Sequence, residues 1–152
     1  MVTKLKANPT ENAIRERMSA GALSLEGFLG SDSRTIEEII AEDAAKLEAA
    51  GVSLEELGAF LQKIHEAADA GLETEVSLFD GRLTAQMQEG MGRIPCPFAC
   101  GKVCHKGVIH VRFNGDELLL TPLQIHMITE HGFFQGKGSP FRVDPAVLVK
   151  MI

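Results

Sequence analysis

Residues 109–131 read IHVRFNGDELLLTPLQIHMITEH. Ile109, Val111 and Phe113 alternate with polar residues, Asn114-Gly115 supplies a two-residue turn, and Leu118 and Leu120 return. This is the pattern of a β-hairpin with Val111 opposite Leu118 and Ile109 opposite Leu120 on one apolar face. Arg112 then opposes Glu117 on the other face as a cross-strand ion pair. The second strand runs directly into Thr121-Pro122-Leu123-Gln124, an N-cap threonine with proline at the first helical position and glutamine at the third. Gly132 is a natural stop for that helix. A hairpin that feeds a helix makes the back half mixed β/α.

Upstream, Val76 and Leu78 alternate with Ser77 and are followed by Asp80-Gly81, a second hairpin turn. Leu78 then faces Leu83 and Val76 faces Ala85. Between the two hairpins lies the stretch 90–106, which carries all three cysteines. Before Gly71 the period is helical. Thr10 is an ambiguous cap for a first helix bearing Ile14 and Met18, and Gly27 and Gly30 bracket Phe28 and Leu29 in a turn. Ser33 or Thr35 can cap a firmer helix with Glu37 and Glu38 in its first turn, where negative charge suits the dipole. Its stripe is Ile36, Ile39, Ile40, Ala44 and Leu47, and Gly51 ends it. Ser53-Leu54-Glu55-Glu56 is a capping box that opens the next helix, with Leu54, Leu57, Leu61, Ile64 and Ala68 inward and Phe60 beside them. The short connection at Gly51-Val52-Ser53 predicts an antiparallel pair. A last short helix after Asp144-Pro145 buries Leu148 and Ile152. The expected fold is α+β, with a helical part (1–72) packed on a mixed part (73–152).

With 152 residues, 45% hydrophobic and 24% charged, the composition is that of an ordinary soluble protein. No apolar run nears the roughly 20 residues that span a bilayer. The start, Met1 to Pro9, has two lysines but no apolar stretch after them, so no secretory signal is expected. An odd count of three cysteines, two at metal-like spacing, suits a reducing cytoplasm better than a disulfide framework. Residues 1–91 hold 8 basic and 17 acidic side chains, and residues 92–152 hold 7 and 4, so a front of −9 precedes a back of +3. The pI near 5.4 argues against non-specific coating of DNA.

Cys96 and Cys100 form a C-x3-C pair, and His126 and His131 an H-x4-H pair. Thiolate sulfur and imidazole nitrogen are the donors tetrahedral Zn2+ prefers, and both spacings are usual for it. A closed site of this kind staples a fold and does no chemistry. One geometric difficulty is visible. Five residues of ideal helix turn through about 500°, which leaves His126 and His131 about 140° apart, so one ion requires the helix end to tighten or fray. Glu130 shares the face of His126, as partner or as outer support to the metal. Cys104 and His105 compete as ligands, although Cys104 also reads as a small buried hydrophobe. His110 reads as a surface residue and His65 as a packed or surface histidine.

The order of Cys pair, hairpin and His-bearing helix resembles the ββα unit of Cys2His2 zinc fingers over about 96–131. The gap between Cys100 and His126 is 25 residues, against roughly 12 in that family. The resemblance therefore implies the ligand roles of the four residues, but not a groove-reading mode. The run His126 to Pro145 also resembles small uncharacterised bacterial cytosolic proteins, a likeness that implies no activity.

The segment 132–142 reads GFFQGKGSPFR. Gly136 and Gly138 permit close backbone approach, Lys137 and Arg142 add charge, and three phenylalanines offer stacking faces. Such a loop can hold a phosphate or single-stranded nucleic acid. The structural alternative, which the composition favours, is a loop whose phenylalanines cover the core.

Two functions follow. The first is a binding module stiffened by structural zinc, with nucleic acid or an acidic protein as partner and no membrane. The second is a metal-dependent hydrolase with an open zinc position and Glu130 as base. The His126-x3-Glu130-His131 spacing is one residue longer than the H-x-x-E-H protease pattern, which weakens it. No nucleophile with an adjacent base and no dinucleotide fingerprint is present.

Overall fold

The structure is a computed structural model that describes residues 9–152. The lysine-bearing start of the chain lies outside the described residues. The fold is α+β. Helices α1 (Pro9–Arg17), α2 (Ile36–Ala50) and α3 (Leu54–Ala70) precede strands β1 (Val76–Leu78), β2 (Leu83–Pro95), β3 (Val103–Phe113) and β4 (Asp116–Leu120), then α4 (Pro122–His131) and α5 (Pro145–Val149).

Local chemistry sets most boundaries as expected. Thr35, Ser53 and Thr121 each accept from the backbone N–H of a Glu or Gln three residues on, whose side chain accepts in return from the cap backbone. Gly51 and Gly132 end α2 and α4 in the left-handed conformation, at φ 74° and 65°. The first helix starts at Pro9, so Thr10 lies inside it and is not its cap.

The strands form one antiparallel sheet in the order β1-β2-β3-β4. The expected registers hold: Val76 faces Ala85, Leu78 faces Leu83, Ile109 faces Leu120 and Val111 faces Leu118. Arg112 Nε donates to Glu117 at 2.9 Å. The stretch between the two turns differs from expectation. It is not a connection but the outer arms of β2 and β3, paired as far as Pro95 and Val103, with a bulge between Glu89 and Arg93. Gly90 and Gly92 hide this strand from a propensity reading, because glycine weakens a strand and marks bulges. The cysteine pair therefore sits at the tip of a long hairpin.

Two apolar clusters fill the interior. The larger joins α2 and α3 to the inner sheet face, with Leu57, Leu61, Ile64, Leu83, Ile109, Val111 and Leu120 at its centre. The smaller joins Met18, Phe28, Ile36 and Ile39 to Ile94, Cys96, Cys104, Met127 and Phe133. Phe133 and Phe134 follow Gly132 and enter different clusters, one each. Two expected core positions change. Asp43, only 1% exposed, takes the inward place while Ala44 faces solvent, because Arg142 donates to both Asp43 oxygens at 2.8 and 2.9 Å. At the C-terminus Met151 is buried and Ile152 is exposed. Among the described residues no helix is long and apolar enough to cross a membrane.

Candidate metal centre

The hairpin tip is shaped by its own backbone. The Cys96 N–H donates to Lys102 O at 2.9 Å, and the Ala99 N–H to Cys96 O at 3.0 Å. Ala99 has φ 58°, a left-handed residue that bends the tip back on itself. Arg17, the last residue of α1, donates from Nε to Pro97 O at 2.7 Å and holds the tip against the front of the chain. Phe98, between the cysteines, stacks on the His131 ring at 4.2 Å and 11°, and meets Phe133 edge-on at 5.6 Å. The tip is thus turned toward the end of α4.

There Cys96, Cys100, His126 and His131 each offer a donor atom, and all four atoms lie within 4.8 Å of one another. Zinc bond lengths set donor–donor edges of roughly 3.3–3.8 Å in a tetrahedron, so small side-chain rotations close the set on an ion. Cys100 Sγ already lies 3.2 Å from His126 Nε2. The two histidine rings stand 5.3 Å apart at 81°. The α4 helix remains regular to His131, so the angular gap is closed by side-chain reach and by the stacked Phe98, not by unwinding.

Two observations test the fit of a metal. His131 Nε2 is buried and has no hydrogen-bond partner among the described residues, a costly state for a ring nitrogen unless something coordinates it. Burial pushes the Cys96 thiol up to about 12, opposed by a hydrogen bond from the Phe98 backbone and aided by the Cys100 and Cys104 sulfurs. A bound cation reverses that penalty by deprotonating the sulfur. Burial also lowers the pKa of His126 and His131 below the ordinary 6.5, which keeps both rings neutral and able to ligate. The four residues lie close enough together to hold a metal ion.

The other named residues are not among the four clustered side chains, although Cys104 and Glu130 line the same cleft. Cys104 is a β3 residue opposite Ile94, buried in the smaller cluster, where burial raises its thiol pKa. His105 is exposed on the same strand, and His110 bonds to Gln88 Oε1 at 3.0 Å on the solvent face. Glu130 is exposed beside the centre and raises the pKa of both histidines, against the larger effect of burial.

A cleft of about 600 Å³ opens beside the centre, between α3, α4 and the tip. Gln62, His65, Lys102 and Glu130 face it together with Cys100 and His126. From sequence His65 reads as a packed or surface histidine, since nothing in the spacing of α3 shows which residues α4 will meet. Gly58 lets the two helices approach: a Cβ there would stand 3.1 Å from Thr129 Cγ2.

The loop 132–142 lies elsewhere, locked to residues 27–32. The Gly136 N–H donates to Phe28 O at 2.9 Å, and the Lys137 N–H to the Asp32 carboxylate at 3.0 Å. Arg34 holds that carboxylate well below the usual range. A Cβ on Gly136 would stand 2.3 Å from Leu29 O, and one on Gly30 would stand 2.4 Å from Gly138 C. Arg142 is held by Asp43 and by Gln135 O.

Comparison with known proteins finds no matching family model, no similar curated protein and no similar solved structure.

Proposed function

We propose that this chain is a zinc-stapled binding module, in which one Zn2+ held by Cys96, Cys100, His126 and His131 pins the β2–β3 tip to the end of α4. The carrying observation is the four donor atoms within 4.8 Å, contributed by four side chains of which one, His131, also has a buried Nε2 with no hydrogen-bond partner among the described residues. The ligand set is that of a Cys2His2 finger, with β3, β4 and α4 as its ββα unit and the cysteines entering from the preceding strand end. Zinc bound in this way is structural, because four protein donors leave no position for water.

The partner reading moves from the 132–142 loop to the cleft. Gly136 and Lys137 already donate their backbone N–H groups inside the fold, and Arg142 is paired. Little remains there to cradle a phosphate. The cleft beside the centre offers Lys102, His65 and Gln62 as polar contacts for an acidic protein segment or a nucleic acid.

Glu130 on the edge of the same cleft favours one rival reading, a hydrolase in which three donors bind zinc and Glu130 activates water. Metal analysis followed by absorption spectroscopy of the cobalt-substituted chain separates the two. Tetrahedral cobalt with two thiolate charge-transfer contributions supports the staple. A five-coordinate spectrum, or one that shifts when a water-competing anion is added, supports the hydrolase. A chain that takes up no stoichiometric metal refutes both.

A further inference from the structure

We infer that Cys100 is an oxidation site with Cys96 as its resolving partner, so that a peroxide converts the zinc-holding pair into a disulfide and expels the ion. This rests on the zinc reading above. Of the three thiols, Cys100 alone is exposed, while Cys96 and Cys104 are 3% and 6% exposed. Cys100 faces the cleft of about 600 Å³, which admits a molecule the size of hydrogen peroxide to the sulfur. The Cys96 and Cys100 sulfurs lie within 4.8 Å of each other, on one tip held by two backbone hydrogen bonds of Cys96, its N–H to Lys102 O at 2.9 Å and its carbonyl from the Ala99 N–H at 3.0 Å. A disulfide requires approach to about 2.05 Å, which rotation of two side chains on such a turn can supply. Cys104 also lines this cleft, but it is buried and lies outside the four-donor group, in the strand and opposite Ile94.

The steps balance. The Cys100 thiolate attacks one peroxide oxygen, the O–O bond breaks and hydroxide leaves, giving a sulfenic acid. The Cys96 thiolate then attacks the Cys100 sulfur, the S–O bond breaks and a second hydroxide leaves. The two sulfurs lose two electrons, the peroxide gains two, and two solvent protons convert the hydroxides to water. Disulfide sulfur is not a zinc ligand, so the ion is left with two imidazoles and departs.

The test uses the zinc-loaded full chain. Its zinc content is measured first. Hydrogen peroxide is then titrated in the presence of a chromogenic zinc chelator, free thiols are alkylated and the products are mapped by mass spectrometry. The expected result is one zinc released per peroxide consumed, a Cys96–Cys100 disulfide, an alkylated Cys104, and recovery of zinc binding after dithiothreitol. The Cys104→Ala variant behaves identically. Zinc retained under excess peroxide, zinc lost with sulfinic acid in place of a disulfide, or a disulfide that includes Cys104 overturns the inference and leaves the zinc reading standing. A chain that carries no zinc at the first step overturns both.

Discussion

His131 and Arg142 are the side chains whose surroundings say most about what they do. The buried Nε2 of His131 has no partner among the described residues, and the Phe98 ring fixes its plane. His131→Ala is expected to weaken zinc binding by more than about a hundredfold, the upper range for losing even an outer-shell partner. A competition titration against a chromogenic chelator reads this. Zinc affinity should also rise with pH, because the Cys96 thiol, pushed up to about 12, must shed its proton to bind. Arg142 answers the carboxylate of Asp43, which is 1% exposed. Arg142→Ala leaves that buried charge only the more distant Lys46 ammonium, at 3.8 Å, at a cost of up to about 3–5 kcal/mol. Removing Asp43 as well should recover part of the loss, since the cost lies in the uncompensated charge. Urea unfolding of the two variants decides it. From the sequence, Arg142 read as a basic residue of a ligand loop. Its carboxylate partner lies 99 positions away, and no local pattern links the two.

At the scale of elements, the legible pieces were those with local causes. The capping boxes, the αL glycines and the Asn114-Gly115 turn act within a few residues, so caps and registers could be read directly. The outer arms of β2 and β3 could not, because their pairing is cross-strand and glycines interrupt the alternation. The same applies to the 132–142 loop. Its glycines read as close-approach positions, which is right, but what approaches is the backbone of residues 28–30 and not a phosphate. Gly136→Ala drives a methyl into Leu29 O and is expected to destabilise the fold by at least the roughly 1–3 kcal/mol of an overpacked core. Gly92→Ala is the control: it meets nothing within 4 Å, although its φ of 90° retains a backbone cost. Thermal unfolding of both variants separates packing from backbone strain.

At the scale of the molecule, the proposed zinc staple would add a ligand-linked term to stability. At free zinc a thousandfold above its Kd the gain is about 4 kcal/mol. For a chain of this size that raises Tm by roughly 8–16 °C, and a strong chelator should reverse the shift in differential scanning fluorimetry. Acid acts on the zinc-free chain as well. His65, His126 and His131 have folded pKa values below 6.5, with burial the largest cause at each. The unfolded chain then binds more protons as pH falls below 6.5, so this stability is intact above that pH and lost as pH drops toward the folded values. Chelator-treated protein should show Tm falling as pH falls from 6.5, and a Tm flat across that interval would contradict the assignment. Local chemistry was enough to read the α+β class, most caps, two hairpin registers and the paired spacings of Cys96, Cys100, His126 and His131, because propensity, turn chemistry and residue type are properties of residues and short spacings. The folded chain alone reveals that Cys96 and Cys100 ride a hairpin tip, that Phe98 and Arg17 aim it, and that a cleft with His65 opens beside it. Those are contacts between distant segments, set by how two apolar clusters pack.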